Sequence, residues 1–193
     1  NLRFHPLIAK LKKLFEKKYV DKVNIFCTSN VLNWRKTRKN YSPYSLSQNK
    51  SGGVLFDLSH EIDYFIWIFG LLSFQKIIYE RNTINSKIKS KNFFYGIGKS
   101  NKCKKIKIHL DFASKKEKRS IEIYYKNKRY FGDIKNNYLS EFKDKRLVKN
   151  INFKNFSIND TYISQIHDVF ISKKSKISCN YNDAILLTNK LRE

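Results

Sequence analysis

The 193-residue sequence is long enough to bury a core of its own, and we predict a single domain over residues 1–193. Its apolar runs stay short of the roughly 20 residues that a membrane span needs, and no membrane partner is predicted. The formal net charge of +24 is compatible with binding nucleic acid or an anionic surface. Lysine is accompanied by an excess of asparagine and isoleucine, as an AT-rich genome would encode, so the charge alone identifies no partner.

The N-terminal part is predicted to contain one helix, one strand and one long loop. Apolar residues recur at helical spacing between Pro6 and Lys18, with lysines on the opposite face. Val23 to Thr28 is a β-branched and aromatic run, which predicts a strand. Asn30 to Lys50 keeps neither period and is predicted to be a loop, and loops of this length in compact domains are often functional.

A second helix and several strands are predicted in the middle of the chain. The helix runs from Asp57 to Phe69, and Gly70 closes it as a C-cap. Beyond it, apolar and polar residues alternate, as in a sheet with one buried face. The predicted strands are Ser73–Arg81, Lys105–Ala113, Ser120–Lys126 and Arg129–Ile134, and polar turns such as Ser114–Lys118 separate them.

Two further helices are predicted near the C-terminus. Ser157 to Asp160 and Asn182-Asp183 provide N-cap residues before two apolar-periodic segments. The order of helix, strand, loop, helix, several strands and two helices is typical of an α+β domain with helices on one face of a sheet.

The cysteines and the missing methionine indicate the setting of the chain. Cys27, Cys103 and Cys179 are far apart and form no CxxC pair. They predict free thiols in a reducing compartment, the cytoplasm, and no metal site. The sequence contains no methionine, so we expect it to be part of a longer protein.

One group of residues has the composition of a proton-transfer site. Asp57, His60 and Asp63 are three apart and would share one face of the predicted helix. A carboxylate beside an imidazole fixes its tautomer and raises its basicity, which suits proton transfer near neutral pH. Gly52 and Gly53 precede them and allow a backbone or a ligand to approach closely. On spacing alone, the group is either catalytic or a capping and surface pair.

The stretch SGGVLFDLSHEIDYFIWIFG resembles the Gly-Gly-x-x-x-Asp…His…Asp signature of the Gfo/Idh/MocA oxidoreductases, the family of glucose-fructose oxidoreductase and inositol dehydrogenase. NLRFHPLIAKLKKLFEK resembles the segment after that family's Rossmann domain, and DTYISQIHDVF with NDAILLTNKL resembles its last two helices. The resemblance implies the α+β fold of the family's C-terminal domain. That fold is an open, mixed and mostly antiparallel sheet with helices on one face, like the C-terminal domain of glyceraldehyde-3-phosphate dehydrogenase, with the N-terminal Rossmann domain absent.

The resemblance also implies a reaction, the transfer of hydride between NAD or NADP and a sugar or cyclitol. It assigns His60 as the acid/base and Asp57 as its partner or a substrate hydrogen-bonder, with Asp63 structural. Asp57 and His60 are three positions apart where many members have four, so the distance between their side chains is expected to differ. The implied sugar-pocket residues are Arg3, His5, Trp34, Arg35, Tyr41 and Tyr162.

The cofactor and partners follow from the same resemblance. The family's Gly-rich phosphate loop and Glu-Lys-Pro motif are absent, so NAD or NADP would be bound mainly by the missing half, and the fragment alone is expected to be inactive. Homo-oligomerisation through the open sheet face and a sugar substrate, such as one for cell-surface sugar synthesis, are implied. One alternative is a non-catalytic sugar-binding member. Another is a nucleic-acid-binding module built on Lys104, Lys105, Lys107, Lys115, Lys116 and Lys118, although no nucleic-acid-binding motif accompanies these lysines.

Overall fold

The fold is known from a computed structural model that describes residues 1–34, 44–47, 52–82, 87–172 and 177–192. The helices are α1 (Pro6–Phe15), α2 (Val54–Asp57), α3 (His60–Phe69), α4 (Ile158–Phe170) and α5 (Tyr181–Arg192). The strands are β1 (Val20–Asn30), β2 (Ser73–Glu80), β3 (Phe93–Ser100), β4 (Cys103–Asp111), β5 (Ala113–Tyr125), β6 (Lys128–Asp133), β7 (Tyr138–Lys143) and β8 (Arg146–Asn152).

The eight strands form one sheet in the order β2-β3-β4-β1-β5-β6-β7-β8. Strand β1 pairs in parallel with β4, and all other neighbours in the sheet are antiparallel. The parallel pair lies at the centre because the chain leaves β1, passes through α2 and α3, and returns by the β2-β3-β4 meander. The α+β class with a mixed, mostly antiparallel sheet is therefore confirmed.

Helices α1 and α3 pack against one face of this sheet. Phe15 of α1 is fully buried, and its ring meets those of Tyr130, Tyr125 and Phe69 at centroid distances of 5.0, 6.1 and 6.4 Å. The inward residues of the central strands are apolar, whereas outward residues such as Phe26 are only half-buried. None of the helices in the described part of the chain is long and apolar enough to cross a membrane.

The predicted second helix is interrupted, which corrects one expectation. Val54–Asp57 and His60–Phe69 are separate helices, because Leu58 and Ser59 form a turn between them. Asp57 ends α2 and His60 begins α3, so Asp57, His60 and Asp63 do not share one face of a single helix. Gly70 ends α3 with φ of 83° and ψ of −178°, a conformation that only glycine adopts easily, which confirms the C-cap.

The sheet is larger than the sequence predicted. Strands β3, β7 and β8 were not among the predicted strands, and Ser114–Lys118 is part of β5 rather than a turn. This part of β5 is mostly exposed, so it carries polar residues where a buried strand would carry apolar ones. Helix α4 begins at the predicted cap, where Ser157 and Asp160 form a reciprocal capping box.

Candidate functional site

A cavity of about 390 Å³ opens where β1 ends and α3 begins, on the helix-covered side of the sheet. It combines the end of β1, the middle of β5 and the segments before α1 and α4. Its lining residues are His5, Cys27, Thr28, Ser29, Trp34, Leu58, Glu117, Lys118, Arg119, Ile134, Lys135, Asn137, Phe156 and Ile158. The volume lies at the low end of the usual range for small-molecule sites, about 300–1,000 Å³.

A buried ion pair closes the cavity towards α3. Glu61 is completely buried, and its Oε1 accepts a hydrogen bond of 2.6 Å from Nε of Arg119. Arg119 lies opposite Cys27 in the register of β5 with β1, and both residues line the cavity. The charges of Glu61 and Arg119 offset each other, which is the condition for keeping a carboxylate inside a protein.

His60 lies beside this ion pair, at the first position of α3. Its side chain is exposed at the surface, but neighbouring protein atoms displace enough water to lower its pKa below the ordinary 6.5. The negative charge of Glu61 opposes this shift, and the positive charge of Arg119 adds to it. Because the pKa is lowered, the neutral imidazole predominates at pH 7, and this is the form that accepts a proton.

Asp57 has different neighbours from His60. Its Oδ1 accepts a hydrogen bond of 2.8 Å from the hydroxyl of Tyr44, and its Oδ2 is buried without a hydrogen-bond partner among the described residues. Burial raises the pKa of Tyr79, and the charge of Asp57 raises it further, so these two side chains are close. Within the described ranges, no hydrogen bond joins Asp57 to His60.

The two glycines before α2 are packed against protein rather than open to a ligand. A Cβ on Gly53, whose φ is 149°, would lie 2.5 Å from the Tyr79 hydroxyl oxygen and 3.3 Å from the Lys91 carbonyl oxygen. A Cβ on Gly52 would collide with the backbone of Tyr44 and Ser45. Of the two predicted reasons for these glycines, the structure favours the close approach of backbone.

Arg3 makes a buried ion-pair cluster outside the cavity. Its Nε and Nη2 donate to Asp63 at 3.0 and 2.6 Å, and its Nη1 donates to Asp183 at 2.9 Å. Arg3 is 5% exposed and Asp63 is 8% exposed, so both are inside the protein. Asp63, which the resemblance assigns to structure, holds Arg3 in place, and Arg3 is not among the cavity-lining residues.

The other predicted sugar-pocket residues divide into three groups. His5 and Trp34 line the cavity. Tyr162 is exposed on α4, one turn after the lining residue Ile158, and does not line the cavity itself. Arg35 and Tyr41 lie outside the described residues.

Glu61 and Arg119 were missed by the sequence analysis, although a signal for them was present. Arg119 occupies the same side of β5 as the buried residues Ile121 and Ile123, and Glu61 precedes the buried Ile62. A charge at an inward strand position needs a partner of opposite sign. That requirement makes Arg119 a candidate for pairing with an acidic residue on a covering helix.

The chain itself offers no loop for nucleotide phosphates in its described part. Gly96 and Gly98 lie inside β3, where a Cβ on Gly96 would meet the Phe74 ring and one on Gly98 would meet the Ser73 carbonyl. These glycines therefore serve the packing of β2 on β3. The described glycines therefore do not fit the phosphate-binding role that a dinucleotide requires.

The sheet and its helices have the fold of the C-terminal domain of Gfo/Idh/MocA-type oxidoreductases, as the sequence predicted. No protein-family model matches the sequence, and no curated protein matches it significantly.

Three solved structures illustrate the similarity. The UDP-N-acetylglucosamine 3-dehydrogenase GnnA from Acidithiobacillus ferrooxidans is 12% identical, with a TM-score of 0.74 over 99% of this chain and 57% of its own. An NAD-binding oxidoreductase from Klebsiella pneumoniae is 11% identical, with a TM-score of 0.76 over 98% of this chain and 60% of its own. Levoglucosan dehydrogenase in complex with NADH is 9% identical, with a TM-score of 0.75 over 98% and 59%. This chain thus spans little more than half the length of the structures it matches.

Proposed function

We propose that this chain is the substrate-binding part of an NAD(P)-dependent oxidoreductase that acts on a sugar or cyclitol. The observation that carries the proposal is the cavity lined by Arg119, within a fold shared with dehydrogenases. His60 does not line this cavity itself, but it is close enough to Arg119 for the charge of Arg119 to lower its pKa. The matched structures are longer than this chain, which supports a preceding nucleotide-binding region in the whole protein.

The chemistry proposed for this chain is binding and proton transfer. The nicotinamide cofactor, held by the preceding region, supplies the hydride acceptor or donor. His60 accepts the proton of the substrate hydroxyl in the oxidation direction and returns it in reduction. His5, Trp34 and Asn137 are placed to orient the sugar, because an aromatic face and polar side chains line the same cavity.

Turnover by the whole protein tests the proposal. We expect NAD(P)H formation or consumption with a sugar substrate, and a loss of about 100-fold in kcat for His60→Asn, because a positioned acid/base typically contributes that much or more. His167→Asn is the matched control, since His167 is exposed on α4 and outside the cavity.

The outcomes separate three functions. Turnover that is insensitive to His60→Asn argues against His60 as the base. Sugar binding without any turnover indicates a non-catalytic member of the family. If the whole protein has no strand, glycine-rich turn and helix before Asn1, the dehydrogenase assignment is contradicted. The lysines of the nucleic-acid alternative lie on β4 and β5, and retention of nucleic acid on a filter at low salt is its test.

We also propose that two copies associate through the uncovered face of the sheet. Phe26 and His109 stack there at 4.5 Å, and the rings of Phe131 and Tyr138 lie 6.0 Å apart on the same face. Aromatic residues at this density are typical of an interface core.

Sedimentation of the chain tests this association. We expect a dimer for the natural sequence and at least about tenfold weaker association for Phe131→Glu, because a carboxylate at an interface core must be desolvated. Phe170→Glu is the control, because Phe170 is 81% exposed on α4. A monomer at all concentrations, or a dimer unaffected by Phe131→Glu, would contradict the proposal.

A further inference from the structure

Arg119 presents an unused hydrogen-bonding edge to the cavity. Within the described residues its only side-chain hydrogen bond is from Nε to Glu61, at 2.6 Å. The Arg119 side chain is 26% exposed and lines the cavity, and its Nη1 and Nη2 have no hydrogen-bond partner among the described residues. Four N–H groups of the guanidinium are therefore available to a ligand.

The pair with Glu61 fixes the guanidinium in place. Glu61 is fully buried and the Arg119 side chain is 26% exposed, so the Nε side faces the protein and the remainder reaches the cavity. A guanidinium held at Nε loses little further freedom when its two Nη groups bind a ligand. The planar fork of these groups matches the two oxygens of a carboxylate or phosphate.

The other charged residues that line the cavity leave Arg119 as its free hydrogen-bonding cation. Lys135 and Glu117 pair with each other at 2.8 Å on the exposed rim. The Nζ of Lys118 lies 4.8 Å from the centroid of the Phe26 ring, on the uncovered face of the sheet, so this ammonium group does not face the cavity.

We propose that Arg119 binds an oxyanion group, a carboxylate or a phosphate, on the ligand of this cavity. This proposal rests on the proposed function and names the class of its substrate, an anionic sugar derivative. The cavity volume of about 390 Å³ suits a monosaccharide with one such group.

Titration of the chain with inorganic phosphate tests the proposal. Ionic strength is held constant with chloride, because a net charge of +24 collects anions at random. We expect saturable shifts of the Arg119 Nε–H and Trp34 indole N–H resonances, since both residues line the cavity. Titration with acetate in place of phosphate distinguishes a carboxylate site from a phosphate site.

Substitutions decide whether Arg119 is the anchor. Glu61→Gln combined with Arg119→Gln removes both buried charges together, so the fold is spared an unpaired carboxylate. We expect it to weaken phosphate binding, read at Trp34, by about tenfold or more, because a charge-assisted bidentate contact is lost. Arg129→Gln is the matched control, since Arg129 also pairs with a glutamate, Glu122 at 3.2 Å, but lies outside the cavity.

Three sugars complete the experiment. Glucuronate or glucose 6-phosphate should compete with phosphate at a concentration where glucose does not. Absence of saturable binding of either anion, or binding that the double variant leaves unchanged, would overturn the anion site. If turnover depends on His60 and anion binding is absent, the oxidoreductase proposal stands and the anionic substrate is refuted. If anion binding depends on Arg119 and turnover is absent, the anion site stands and the oxidoreductase proposal is refuted.

Discussion

Arg3→Met should lower the free energy of unfolding by about 3–5 kcal/mol, because it leaves a buried carboxylate without its counter-charge. Asp63 is 8% exposed and receives two hydrogen bonds from Arg3, at 2.6 and 3.0 Å. Methionine keeps the length and apolar volume of the side chain but supplies no donor. Urea unfolding followed by circular dichroism measures the change.

The exposed pair of Lys135 and Glu117 provides the control for this prediction. It has a similar distance, 2.8 Å, but its side chains are 50% and 47% exposed. Lys135→Met should therefore cost less than about 1 kcal/mol. Combining Arg3→Met with Asp63→Leu should recover most of the lost stability, since a buried ion pair can be replaced by apolar residues at little cost. Equal effects of Arg3→Met and Lys135→Met would contradict this account.

The cluster around Arg3 matters because of the elements it joins. Arg3 lies before α1, Asp63 is in the first turn of α3, and Asp183 is in the first turn of α5. The two ion pairs thereby fix the start of α3, where His60 and Glu61 are located. A residue predicted for substrate binding is thus placed to position the candidate site through the scaffold.

The sequence could predict the helices well but not the interruption between α2 and α3. Leu55, Leu58, Ile62, Phe65 and Phe69 are all buried, and their spacing alternates between three and four. This apolar period continues through the turn at Leu58 and Ser59, so hydrophobic periodicity alone cannot reveal the break. Only the backbone hydrogen bonds show that Asp57 and His60 belong to different helices.

The candidate site was predictable in part for a similar reason. His60 is found by motif, and His5 and Trp34 by resemblance, because local segments carry them. Arg119 and Glu61 are 58 positions apart in sequence and meet only when β5 packs beneath α3. Sequence patterns report the period of each element, and the pairing of two charges across elements depends on the register of the whole sheet.

Lowering the pH should also destabilise the folded protein strongly, because His5 is buried in its neutral form. Burial lowers the pKa of His5 from 6.5 to about 4. Its Nδ1 accepts a hydrogen bond from the Leu7 N–H, capping α1, and its Nε2 donates to Oδ1 of Asn137 at 3.1 Å. The bond from Leu7 requires an unprotonated Nδ1, which places the proton of the neutral ring on Nε2. Protonation of Nδ1 therefore breaks the cap, whereas the bond from Nε2 to Asn137 can persist.

The direction of this pH effect on stability follows from how His5 binds a proton in the folded and unfolded states. Between pH 6.5 and 4 the unfolded chain carries a proton on His5 and the folded protein does not. Stability therefore falls as the pH is lowered through this window, by up to about 3 kcal/mol from this residue. Above pH 6.5 neither state is protonated at His5, and its contribution is constant.

His5→Asn isolates this contribution, because asparagine is a good N-cap and does not titrate. As the pH falls from 7 to 4, we expect the natural sequence to lose about 3 kcal/mol more unfolding free energy than His5→Asn. His167→Asn is the matched control substitution, since His167 is exposed on α4 and outside the cavity. Parallel pH profiles for His5→Asn and the natural sequence would show that His5 is not buried in its neutral form. The titration would then also remove the support for His5 as a neutral hydrogen-bonding residue of the cavity.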